Sequence, residues 1–184
     1  MVASSVGSPE FQAEEFLNSL VLPLGGFAFP PVEFVGSTYL PKASQELLVH
    51  HYHMTVTLEA HYKAPLCVKV LDRVQTGDAY TRRICLYETG LGKPVLYGVV
   101  RIHLDFCKRE VREAILAEAE PLGRILIRHG VLTRIELLGL LRIRAENVPE
   151  AWFGPRGKDV KDVFGRLAVI HCDGKAAVEL LEMI

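Results

Sequence analysis

Arg82 is the first residue whose surroundings point to chemistry. It lies in YTRRICLY, residues 80–87, a run rich in strand-forming side chains. Side chains alternate along a strand, so Arg82 shares a face with Ile84 and Leu86. A guanidinium turned into an apolar face needs an anion, because burying it unpaired is costly. Two ordinary arrangements meet that need without a ligand. The side chain snorkels to water from the strand end, or it pairs with a protein carboxylate. The third arrangement is a seat for the acid group of a bound molecule. Glu182 is a second ionisable residue in apolar company, beside Leu180, Leu181, Met183 and Ile184; its plain reading is a frayed, solvated terminus.

The HHYH run places His50, His51 and His53 close together. Their spacing only approximates that of metal ligands on one helix face, and no carboxylate or cysteine stands at a recognised zinc spacing. Solvated or core-edge histidines are the expectation, with no metal. The cysteines, Cys67, Cys85, Cys107 and Cys172, form no CxxC pair and read as small hydrophobes of a reduced protein. No phosphate-cradling loop, nucleophile elbow or dinucleotide fingerprint is present. The PLG turn, Pro121 to Gly123, is of interest because a glycine lets backbone N–H groups approach an anion closely. A simple turn between elements explains those residues equally well.

These residues need a scaffold, and composition bounds it. The chain has 184 residues, 49% hydrophobic and 23% charged, which describes a globular domain with a substantial core. A net charge of −1 leaves no basic stripe for nucleic acid. No apolar run is long enough for a membrane span and no signal-peptide pattern opens the chain, so a cytoplasmic protein is expected. The opening MVASSVGSPEF is Ser/Gly-rich and its GSPEF resembles a cloning scar; residues 1–12 are set aside as tag or disordered, and residues 13–184 are read as a single domain.

Residues 13–22 could form a short helix, and a Pro/Gly connector follows, from Pro23 to Pro31. Apolar spacing predicts one helix over 44–62, with Leu47, Leu48, His51, Met54, Leu58 and Tyr62 on one stripe. A strand over 66–74 turns at Gly77 and Asp78 into the central hairpin, whose loop holds Gly90, Gly92 and Pro94. Neither arm of that hairpin alternates cleanly, so part of each is expected to be buried on both faces. A helix is predicted over 106–119. Residues 122–127 and 133–144 are each open between strand and helix. A loop over 147–162 could close over a site, and residues 164–184 form a closing hairpin with its turn at Asp173 and Gly174. The order implies an α+β domain, a single antiparallel sheet with helices packed on one face.

Together these segments resemble the chorismate lyase family. The likeness runs from about Leu47 to Ile184 and is carried by LLVHHYHMT, YTRRICLY, GKPVLYGVVRIHL, PLGRILI followed by VLTR, and FGRLAVIHCDGK with a Glu-bearing end, in that order. The resemblance implies a cofactor-independent enzyme that removes pyruvate from chorismate and leaves 4-hydroxybenzoate. It places the carboxylate-binding arginine at Arg82, a ligand-contacting methionine at Met54 and a contact of the PLG turn at Leu122, with Gly123 beside it. The family's C-terminal glutamate falls on Glu182 if one residue is inserted after Gly174. Otherwise Leu181 takes the position, with Glu179 as the other candidate. An arginine of the family is here Val99. A second cation for the dianionic substrate would be Arg134, Arg166 or Arg101. The partner implied is a small-molecule substrate. The alternative function is a non-catalytic binding domain for a small aromatic or carboxylic acid.

Overall fold

In the computed structural model, which describes residues 9–25, 28–90, 92–154 and 162–184, the central hairpin is the middle of one antiparallel sheet. The strands are β1 (Glu33–Val35), β2 (Leu66–Thr76), β3 (Ala79–Glu88), β4 (Lys93–His103), β5 (Thr133–Arg144), β6 (Asp162–Cys172) and β7 (Lys175–Met183). They form a seven-stranded open sheet in the order β1-β5-β6-β7-β4-β3-β2. The helices are α1 (Pro9–Val21), α2 (Lys42–Leu48), α3 (Met54–Tyr62), α4 (Arg109–Leu116), α5 (Leu122–Arg128) and α6 (Glu150–Phe153). The architecture is α+β, as the order of elements implies. The closing hairpin turns at Asp173 and Gly174, at φ 50° and 83°, the left-handed pair that a tight two-residue turn demands.

The sheet is covered on both faces, not on one. On the first face Ile84, Leu96, Val100 and Leu180 pack beneath Leu48, Met54, Leu58, Ile115 and Leu126 of α2 to α5. On the second face Cys85, Tyr97, Val99, Leu141 and Leu181 pack beneath Leu17 and Leu20 of α1 and Trp152 of α6. Trp152 stacks on Tyr97 with ring centroids 3.8 Å apart. This is why the hairpin arms do not alternate: a strand apolar on both sides reads as a continuous run. Helix α1 begins at Pro9, so residues 9–12, set aside on sequence, belong to it.

The predicted helix over 44–62 is two helices, α2 and α3, with residues 49–53 as a loop between them. The cause lies far away in sequence. Arg166 of β6, fully buried, donates to the carbonyls of His50 at 3.2 Å and Tyr52 at 3.5 Å. Those carbonyls would otherwise serve a helical ladder. His51 is bound by its ring Nδ1 to the carbonyl of Ile135 at 3.0 Å, which pins the loop to the sheet. Residues 122–128 prove helical and 133–144 prove to be a strand. Helix α4 is shorter than its pattern, ending at Leu116 after Val111 and Ile115 have turned inward. Of the loop expected over 147–162, residues 150–153 form α6, and 155–161 lie outside the described residues.

Candidate functional site

The register of the sheet sets the floor of the site. Ile84 pairs Gly98, Gly98 pairs Glu182, and Glu182 pairs Arg166, so these four share one row across β3, β4, β7 and β6. The next row holds Arg82, Val100, Leu180 and Ala168. Both rows face α2 to α5. From above, α3 brings Met54 and α5 brings Leu122 and Gly123. Met54, Leu122, Gly123, Arg166 and Glu182 line one cavity, together with His53, Ile84, Gly98 and Val100. Residues from 54 to 182 in the chain therefore meet at one place. Arg82 does not line this cavity, but its same-face strand neighbour Ile84 and its cross-strand partner Val100 do.

Among the described residues two arginines, Arg82 and Arg166, are fully buried on this face, and they differ in what they lack. Arg166 is engaged at all three of its nitrogens. Its Nε donates to Glu182 Oε2 at 2.7 Å, and its two terminal nitrogens hold the 49–53 loop. Arg82 is nearly bare. Its Nη1 makes one long bond, 3.4 Å, to the carbonyl of Ile115 near the C-terminal end of α4. Its Nε and Nη2 are buried with no hydrogen-bond partner. The Tyr80 ring lies 6.0 Å from the guanidinium carbon, and the helix end adds partial negative charge. Burial pushes the Arg82 pKa down, against the pull of Tyr80 and Glu118. Arginine stays protonated regardless, so the protein holds a buried cation whose donors are unspent.

The carboxylate whose charge acts on Arg82, Glu118, is spoken for. Glu118 accepts from the Tyr80 hydroxyl and from Arg73 Nη1, the latter at 2.8 Å. Burial, with that bond to Glu118, pushes the Tyr80 pKa up to about 12. Glu118 thus offsets the charge of Arg73 and accepts from the neutral Tyr80 hydroxyl, while Nε and Nη2 of Arg82 are left without a hydrogen-bond partner.

Two of the three proposed second cations are elsewhere. Arg134 projects away from the cavity and pairs Glu136 at 3.2 Å, with 65% of its side chain exposed. Arg101 lies on the second face, bound to Glu179 and to the carbonyl of Ser19 in α1 at 2.8 Å. Strand alternation sends Val99, Arg101, Glu179 and Leu181 to that face and Glu182 to the first. Of the C-terminal candidates, Glu182 alone reaches the cavity, and of the cations, Arg166.

Two residues were passed over in the sequence. Gly98 lies within the second arm of the central hairpin. A Cβ there would lie 3.1 Å from the carbonyl of Leu181 and 3.4 Å from Ile84, so a side chain would crowd the floor. His53 read as a core-edge histidine. Its ring lines the cavity and its Nε2 lies 3.0 Å from Thr133 Oγ1. The clue was its place next to Met54. His50 hydrogen-bonds through Nε2 to the carbonyl of Leu47 and receives the N–H of Tyr52 at Nδ1. That pattern fixes the neutral Nε2–H tautomer. Burial first, then Arg166, holds the His50 pKa below its usual value. Among the described residues, no group of three or more His, Cys, Asp or Glu side chains is arranged to hold a metal ion, and no helix is long and apolar enough to cross a membrane. No family model matches the chain, and no curated protein matches it.

Proposed function

We propose that the chain is a chorismate–pyruvate lyase, a carbon–oxygen lyase working without a cofactor in the cytoplasm. The observation that carries this reading is the unpaired guanidinium of Arg82, buried beside a cavity lined by Met54, Leu122, Gly123, Arg166 and Glu182. A planar guanidinium with two free donors suits a carboxylate held by paired hydrogen bonds. Arg82 and Glu182 lie two strands and one pleat repeat apart. At about 4.8 Å per strand and about 6.7 Å along the strand, their backbones are about 12 Å apart. A six-membered ring with a carboxylate at one end and a hydroxyl at the other bridges that gap. Arg82 holds the ring carboxylate, Glu182 accepts from the ring hydroxyl, and Arg166 is the cation left for the enolpyruvyl carboxylate.

The reaction breaks the ring–ether bond. The hydrogen on the carbon bearing the hydroxyl moves to the side-chain methylene, which leaves as the methyl of pyruvate, and the ring becomes aromatic. No oxidant or further reactant is consumed. The step is already intramolecular in the substrate, so what the site adds is orientation, holding the side chain in the conformer that brings its methylene over that hydrogen. The cavity measures about 40 Å³, room for a water molecule or so rather than a ring. Binding therefore requires Met54 and Leu122 to draw apart.

The test is incubation with chorismate. Pyruvate and 4-hydroxybenzoate are expected in equal amounts, above the uncatalysed background, and Arg82→Ala should abolish their release while the protein stays folded. Wild-type protein that produces neither is not a chorismate lyase. One observation favours a second reading, a binding domain for a monoanionic aromatic acid: among the described residues on this face, Arg82 is the fully buried guanidinium with two nitrogens lacking any hydrogen-bond partner, which matches one carboxylate rather than two. On that reading 4-hydroxybenzoate raises the melting temperature and chorismate is not turned over.

A further inference from the structure

His53 has the position and the free valence to act on whatever fills the cavity. It stands just ahead of Met54, at the N-terminal boundary of α3. The glycine of the PLG turn makes room for it: a Cβ on Gly123 would lie 3.1 Å from His53 Cβ and 3.4 Å from its Cγ. The ring is thus clamped from α5 on one side. Thr133 Oγ1 of β5 lies 3.0 Å from Nε2 on the other. Nδ1 has no hydrogen-bond partner among the described residues, although the ring lines the cavity. Burial keeps the imidazole below its usual pKa, while Glu182 and Arg166 act on its charge in opposite senses. At neutral pH it is an uncharged ring with one nitrogen uncommitted.

We propose that His53 is a specificity-determining residue that reads a hydroxyl group on the ligand ring. This rests on the reading of the cavity as a site for an aromatic acid. A ring hydroxyl has one hydrogen and two lone pairs, so it needs both an acceptor and a donor when buried. Glu182 Oε2 already receives Arg166, and its other oxygen is the acceptor for the ligand hydroxyl. His53 supplies the donor. Thr133 Oγ1–H donates to Nε2, Nδ1–H donates to the hydroxyl oxygen, and the hydroxyl donates to Glu182. Each group in that chain is used once. An acid without the hydroxyl would leave both Nδ1–H and Glu182 unsatisfied, which is where selectivity comes from.

The experiment compares the binding of 4-hydroxybenzoate and benzoate to wild type and to His53→Phe, whose ring keeps the packing on Gly123. Wild type is expected to prefer 4-hydroxybenzoate. His53→Phe should lose about tenfold of that preference, through weaker 4-hydroxybenzoate binding with benzoate affinity little changed. A merely structural role would weaken both acids alike, and that result, or an unchanged preference, overturns the proposal. Thr133→Val gives a second lesion that leaves His53 in place. It should lower the preference a few-fold, and a Thr133→Val protein as selective as wild type counts against the chain of hydrogen bonds. Wild type that binds neither acid refutes the aromatic-acid site itself. Wild type that binds both acids alike refutes only the role of His53.

Discussion

Arg82 and Arg166 are chemically identical, equally buried and set on the same face, yet they should respond to mutation in opposite ways. Arg166 offsets the charge of Glu182 and holds two loop carbonyls. Arg166→Met would strand a buried carboxylate and release the loop, so a loss of about 3–5 kcal/mol of stability is expected in denaturant unfolding. Arg82 is desolvated with two donors idle. Arg82→Met removes that penalty and fills the same space, so stability should rise by about 1–3 kcal/mol. The same variant should bind 4-hydroxybenzoate more than ~100-fold less tightly, since a charged pair of hydrogen bonds is gone. An Arg82→Met protein that melts lower and still binds would remove Arg82 from the site. The sequence exposed Arg82 because strand alternation alone turns it inward. It could not separate Arg166 from Arg134 or Arg101, because that depends on which strand lies alongside and which carboxylate it presents.

Elements carry the next consequences. The 49–53 loop exists because Arg166 captures its carbonyls, a contact between residues more than a hundred positions apart that no local periodicity encodes. That is why apolar spacing extended one helix across it. The loop depends on neutral His50: protonating Nδ1 would break its bond from the Tyr52 N–H and place a cation against Arg166. The folded-state pKa of His50 is depressed, as is that of His53. Below the unfolded value of about 6.5 the unfolded chain binds more protons than the folded one. Stability should therefore be complete above that pH and decline as pH falls through the folded-state values. Melting temperatures measured from pH 7.5 to 5 should drop, and His50→Gln should flatten the decline. An equally steep decline in that variant would place the titrating group elsewhere. Strand β6 has its own weak point. A Cβ on Gly165 would lie 2.7 Å from the carbonyl of Glu182, which cannot yield without parting the β6–β7 ladder. Gly165→Ala should cost about 2–3 kcal/mol, and a variant as stable as wild type would show that the ladder shifts freely.

At the scale of the whole molecule, one sheet carries two different tasks. Its second face, closed by α1 and the Trp152–Tyr97 stack, is mainly apolar packing, with the Arg101–Glu179 pair beside α1. Its first face holds the buried charge and the cavity. Helices α3 and α5 cap that cavity with Met54 and Leu122, and the Glu59–Arg124 ion pair also links the two helices. The two-faced burial was legible in the unbroken apolar run of the hairpin. The helices of the second face were not, because α1 begins inside residues that look like a tag and α6 is a single turn. Met54, Leu122, Gly123 and Glu182 were named from a resemblance to known proteins, and the fold brings all four to one cavity. His53 and Gly98 needed the fold, since their importance comes from what lies opposite them.

The central claim is that the Arg82 guanidinium is the seat of an aromatic carboxylate, and the Nε–H resonance of that arginine reports on it directly. It can be followed by 15N NMR and assigned by its absence in Arg82→Met. On addition of 4-hydroxybenzoate it should shift as a new hydrogen bond forms, and the uncharged 4-hydroxybenzamide should not move it. A resonance that stays put when the acid binds, or that moves equally with the amide, would contradict the account.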